Sequence, residues 1–196
     1  MRTHMFKLGL AAAVLAVGAC DNKAGDKPTN AQTPEAQKAA GAKTISAGLA
    51  ADSRFMAAAK AAGLDQTLAG AGPYTVLVPD DAAFDKAPAG TFDTKPENRA
   101  QLTGILTNLI IPGTVMAADI DKAIDRGKGK MMLATMGGST LTATKDGDKI
   151  VLTDAKGNKA TVTKADDAFS NGVVHHLDSM LMPGKPGAAA PTKAGE

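Results

Sequence analysis

Asn171-Gly172 followed by the apolar run Val173 to Met182 and then Pro183 is the most constraining stretch of this chain. Asn-Gly is a turn signal, because both residues tolerate backbone conformations that others avoid. An apolar run entered from such a turn and stopped by proline reads as a strand that ends a domain. The segment before it is β in character. Met131 to Met136 is one apolar piece, and Thr140 to Thr144, Lys149 to Thr153 and Ala160 to Thr163 alternate. Lys145-Asp-Gly-Asp148 and Asp154-Ala-Lys-Gly-Asn158 separate the alternating pieces as hairpin turns.

The first half reads as helices. Ile45 to Leu49 is a four-residue apolar step. Asp52 or Ser53 caps a second helix that shows Phe55, Met56 and Ala59 on one face and stops at Gly63, with Leu64 and Leu68 continuing the packing. Pro73 opens a strand over Tyr74 to Val78, and Pro79 ends it. Asp80 can then accept from orphan N–H groups of a short helix anchored by Phe84. Pro96 suits the first position of a helix, and Glu97 suits its positive end. Leu102, Ile105, Leu106 and Leu109 give that helix one apolar stripe. Pro112-Gly113 turns the chain, and Ile120 and Ile124 mark a further helix closed by Gly127. Helices first and a meander second predict an α+β fold rather than a repeating parallel sheet.

The ends of the chain read differently. Arg2, His4 and Lys7 precede an apolar run from Leu8 to Ala19. That run is too short to cross a bilayer, which takes about 20 apolar residues, and it suits the core of a signal peptide spanning residues 1–19. Val17-Gly18-Ala19-Cys20 resembles a bacterial lipobox. The resemblance implies acylation of Cys20, the only cysteine, and an anchored protein without a transmembrane helix. Residues 20–43 would be the lipidated Cys and a disordered tether, with almost nothing apolar beyond alanine. Residues 184–196 read as a disordered tail. Residues 44–183 suffice for one domain, and no cysteine remains there to staple it.

Two boxes carry a resemblance. Tyr74-Thr-Val-Leu-Val-Pro-Asp-Asp-Ala-Ala-Phe84 is similar to the first box of the fasciclin domain, and Asn171 to Pro183 resembles its C-terminal box. The positions concerned are Thr75, Val76, Pro79, Phe84, Asn171, Gly172, His175, Asp178 and Pro183. The resemblance implies a β-wedge of two short sheets with several helices packed along one edge. It also implies an extracytoplasmic interaction domain and a structural role for His175. In animal relatives a Tyr-His tract before Pro-Gly, and an Asp-Ile pair before Asn-Gly, are linked to integrin recognition. Here those positions read Asn108-Leu109 and Asp166-Asp167, which argues against carrying such a site over.

No chemistry converges in the sequence. On a strand, His175 points with Val173 and Leu177, whereas His176 points with Val174 and Asp178, so the three cannot meet on one metal. Buried, His175 needs a hydrogen-bond partner. Ser170 and Ser179 lie near the histidines, but no Gly-x-Ser-x-Gly elbow occurs. Lys145-Asp-Gly-Asp148 lacks the spacing of a calcium loop. Asp80-Asp81 suits helix capping better than presenting charge to a partner. A net charge of +2 with no Trp and one Tyr offers neither a basic stripe nor a stacking surface for nucleic acid. Met56, Met116, Met131, Met132, Met136, Met180 and Met182 suit core filling. Several of them around one cavity would suit a lipid or pigment. The expectation is thus a non-enzymatic domain without a cofactor. It would be exported, anchored to a bacterial membrane through acylated Cys20, and face the periplasm or cell surface. It would mediate adhesion to a protein or to an envelope or matrix polymer. The alternative is a carrier of an apolar ligand in a Met-rich groove.

Overall fold

The computed structural model describes residues 43–51 and 53–184. The signal-peptide, Cys20 and tether expectations, the Asp52 cap and the tail beyond Gly184 fall outside the described residues.

Three short helices lead: α1 (Ile45–Gly48), α2 (Arg54–Ala62) and α3 (Asp65–Ala69). Ser53 caps α2, its hydroxyl accepting from Met56 N at 3.3 Å, and Gly63 stops it in the left-handed region at φ 76°. Strand β1 (Tyr74–Pro79) and α4 (Asp81–Asp85) follow. Pro96 starts a 3-10 turn (Pro96–Asn98) rather than the α-helix itself, and α5 runs Arg99–Thr107. Then come β2 (Ile110–Pro112), α6 (Ala117–Arg126), β3 (Lys130–Ala134), β4 (Thr140–Asp146), β5 (Lys149–Thr153), β6 (Lys159–Phe169) and β7 (Gly172–Leu177).

The strands form one seven-stranded sheet in the order β2-β1-β7-β6-β5-β4-β3. The α+β fold holds, and the two short sheets are its halves, joined through β6. Thr161, Ala160 and Lys159 pair with β5, whereas Val162 to Phe169 face β7 across two register shifts. Such bulges bend a strand and raise its twist. Asp166, at φ 60°, lies in the second. The central pair β1–β7 is parallel, from Tyr74↔Gly172 to Pro79↔Leu177, and every other pairing is antiparallel. The two edges approach each other, because Met136 N donates to Ile110 O at 2.7 Å and Gly137 N to Thr107 O at 3.0 Å. This covers polar groups that an open edge would offer to another chain.

The core is aliphatic. Leu102, Leu106 and Leu109 from the α5 stripe are fully buried with Phe55, Met56 and Leu68. They meet Val76, Leu77, Val174 and Leu177 from the sheet in one cluster, which also takes in Ile120 and Ile124 of α6. Helix α2 packs on α5, and α6 lies against β3, β4 and β5.

Candidate functional site

The two boxes meet on one residue. Thr75 is buried in β1. Its hydroxyl donates to Gly113 O at 2.8 Å and accepts from Val115 N at 2.9 Å. His175 is buried in β7, with Nε2 at 2.8 Å from Val115 O. The backbone of Val115 is therefore gripped at its N–H by the first box and at its C=O by the second. Nδ1 of His175 accepts from Asp166 N at 3.2 Å. That bond requires a bare Nδ1, so Nε2 carries the proton and the ring is neutral. Burial pushes the His175 imidazole below its ordinary value, outweighing the Val115 bond and the Asp166 charge, which act the other way. Asp166 completes the chain: its carboxylate accepts from Ala117 N at 2.8 Å and caps α6, whose own N-cap Met116 has no side chain to do so.

The remaining motif residues are also used internally. Asn171 Nδ2 donates to Leu68 O and Gly70 O, both at 2.8 Å, and Oδ1 accepts from Ile45 N at 2.8 Å. One buried amide thus ties the β6–β7 turn to α1 and to the end of α3. Gly172 has φ 154°, and a Cβ there would run into the Tyr74 carbonyl. Val76 lies in the core. Pro79 closes the β1–β7 ladder opposite Leu177. The Asp178 carboxylate accepts from Thr161 N at 2.8 Å while Asp178 N donates to Thr161 O at 3.1 Å, so this residue ends β7. Burial works to raise the Asp178 carboxyl, but the bonds from Thr161 and Ser179 and the Lys86 charge outweigh it and leave it below the ordinary carboxylate range. Phe84 is buried edge-on against Phe92 at 4.7 Å, with the Arg54 guanidinium 5.2 Å from its ring centre. Pro183 follows Met182, whose N donates to Asp154 Oδ2 at 2.8 Å.

Several sequence expectations change. The last strand stops at Leu177 rather than Met182. The apolar residues Met180 and Leu181 are buried in an irregular segment instead. Asp80 holds the N-cap place of α4 without a side-chain bond, and its Oδ2 accepts from Thr163 Oγ1 at 3.3 Å. Asp81 does the capping, but for another helix: its Oδ1 accepts from Arg54 N of α2 at 3.2 Å. His176 is half-buried, 3.7 Å from Asp80 and 3.5 Å from Asp167, on a polar patch with Lys164. Among the described residues no three His, Cys, Asp or Glu side chains are grouped to hold a metal.

The methionines do not share one cavity. Met56 and Met131 belong to the core, Met136 is 45% exposed at the β3–β4 turn, and Met116 and Met132 are half-buried. Met180 and Met182 border a cleft of about 380 Å³ beside Ala87-Pro88. A second cleft of about 480 Å³ shares Ala87 and Pro88 with the first, is lined also by Arg54, Phe84 and Phe92, and contains no methionine.

Sequence reasoning missed Asp154. It is fully buried and accepts from Lys156 N, Asn158 N, Asn158 Nδ2 and Met182 N at 2.8–2.9 Å. An aspartate opening a Lys-Gly-Asn turn was the available signal. Asp154→Ala orphans three backbone donors together, and it is expected to cost about 2–4 kcal/mol in urea unfolding.

An α+β wedge with two motifs locked onto one loop defines the class. Residues 51–183 match the sequence model described as "Fasciclin domain". The chain belongs to that family. It is 38% identical over 142 residues to Protein sll1483 of Synechocystis sp., covering 71% of each chain. It is 33% identical over 127 residues to transforming growth factor-beta-induced protein ig-h3 of Sus scrofa, covering 65% of this chain and 17% of that protein. A FAS1 domain pair from the insect cell adhesion molecule Fasciclin I shares the fold, with a TM-score of 0.56 at 18% identity, over 72% of this chain and 51% of that one.

Proposed function

We propose that this chain is a non-enzymatic, membrane-tethered extracytoplasmic fasciclin domain that mediates adhesion or surface and matrix interaction. The observation that carries the reading is the Val115 grip. Both ring nitrogens of His175 face backbone groups, so the box histidine has no free nitrogen to serve as a base. Membership of a family whose shared fold includes an insect cell adhesion molecule supports a surface role. The lipobox-like Val17-Gly18-Ala19-Cys20 supports the tether.

An integrin-type contact at the Tyr-His and Asp-Ile positions does not fit. Asn108 and Leu109 are 0% exposed, and Asp166 is engaged in capping α6. The test is to express the chain and Cys20→Ser in a bacterium with labelled palmitate. Label and membrane retention should follow Cys20, and envelope or matrix binding should fall when the domain is released. Equal membrane retention of both forms would overturn the tether. Binding no better than in cells lacking the chain would overturn the adhesion reading.

A further inference from the structure

The cleft beside Ala87-Pro88 combines cationic and apolar side chains. Its lining includes Met180 and Met182 from the segment after β7, Lys86 from the end of α4, and Lys159 from the start of β6. No carboxylate and no aromatic ring lines it. Both lysines are exposed. Lys86 Nζ donates once, to Asp178 O at 3.3 Å, which leaves an ammonium with donors to spare. The nearby acid, Asp178, spends its own carboxylate on Thr161 N. Thus two lysines share the lining with Pro88, Met182 and the largely buried Met180, beside the polar Asn158 and Ser179, within a volume usual for small-molecule sites.

We propose that this cleft binds a single-chain fatty acid, its methylenes along Met180 and Met182 and its carboxylate between Lys86 and Lys159. A neutral lipid or hydrocarbon pigment would bring no charge to meet Lys159 or the spare donors of Lys86. A bare phosphate would leave the methionines unused, and a nucleotide base would find no ring to stack on. The site is independent of the adhesion reading, since a domain that holds no ligand can still adhere.

The probe is laurate, titrated calorimetrically below its micelle concentration into the full-length chain, with dodecanol as the neutral control. One saturable site is expected, weakened by added salt. Lys86→Glu/Lys159→Glu should weaken laurate roughly tenfold or more, the scale of lost close charge pairs, and dodecanol should bind at least that much more weakly than laurate. Any laurate taken up by the apolar run at Leu8 to Ala19 is the same in both proteins, so their difference is the readout. The thermal midpoint of the double variant should match that of the parent. If it does not, the comparison is made with Lys159→Gln, for which a severalfold loss is expected. Failure of laurate to bind, equal binding by the variants, or dodecanol binding as tightly as laurate would each overturn the proposal.

Discussion

Gly172→Ala should lower stability sharply, whereas Gly104→Ala should raise it. Position 172 combines two penalties. An L-residue is strained at φ 154°, and its Cβ would meet the Tyr74 carbonyl, which belongs to the parallel partner strand and cannot step aside without breaking the ladder. Strain alone costs about 1–3 kcal/mol. With the overlap, a loss of about 4 kcal/mol is expected, a large share of a typical domain's stability. Gly104 lies inside α5 with nothing within 4 Å of an added Cβ. There alanine removes backbone freedom from the unfolded chain and should add about 0.5–1 kcal/mol. Urea unfolding of both proteins is the check. A Gly172→Ala protein as stable as its parent would mean that Tyr74 and Gly172 do not approach as closely as described.

His175→Leu should cost about 2–5 kcal/mol near neutral pH. It leaves Val115 O buried, and Asp166 N part-buried, without their partner, at roughly 1–3 kcal/mol each. The pH dependence has a definite sign. The folded imidazole is pushed below its ordinary 6.5. Above 6.5 the ring is neutral in both states, so its stabilising bonds count in full. As pH falls below 6.5 the unfolded chain takes up a proton that the folded chain refuses, and stability is lost, at a limiting slope of about 1.4 kcal/mol per pH unit. The stability gap between parent and His175→Leu should therefore narrow as pH drops from 6.5 and stay constant above it. A gap that widens in acid would show that His175 is charged in the fold.

How far the sequence could be read depended on how local the signal was. Strand β5 was legible to the residue because Lys149 to Thr153 alternates and lies between two turn words. Strand β2 was not, because Ile110-Ile111 is too short for a period and continues the stripe ending at Leu109. The second half of β6 was invisible for another reason: Lys164-Ala-Asp-Asp-Ala168 is polar and bulged, and alternation fails where a bulge resets it. The parallel β1–β7 pairing leaves no local mark at all, since nothing near Tyr74 announces Gly172 as its neighbour. The same holds for the site. That a buried His175 needs a partner could be foreseen, but its partner is a backbone carbonyl sixty residues earlier. Asp166 was singled out only as a departure from the family pattern, and its hold on Ala117 N shows that the change at Asp167 leaves the cap intact.

The parallel centre of the sheet also has a mechanical meaning. Lys43 O accepts from Ser170 N, so the chain enters beside the first residue of β7. Met182 is held by Asp154, past the last residue of β7, so the chain leaves at the opposite end, on the order of 20 Å away. A load applied through residues 43 and 184 pulls β1 from Tyr74 and β7 from Leu177, in opposing directions along the same axis. Paired over six positions, the two strands are then sheared against each other, and their hydrogen bonds take the force together instead of unzipping one at a time. Pulled between residues 43 and 184, the domain is thus loaded along the direction in which its central strand pair resists by shear.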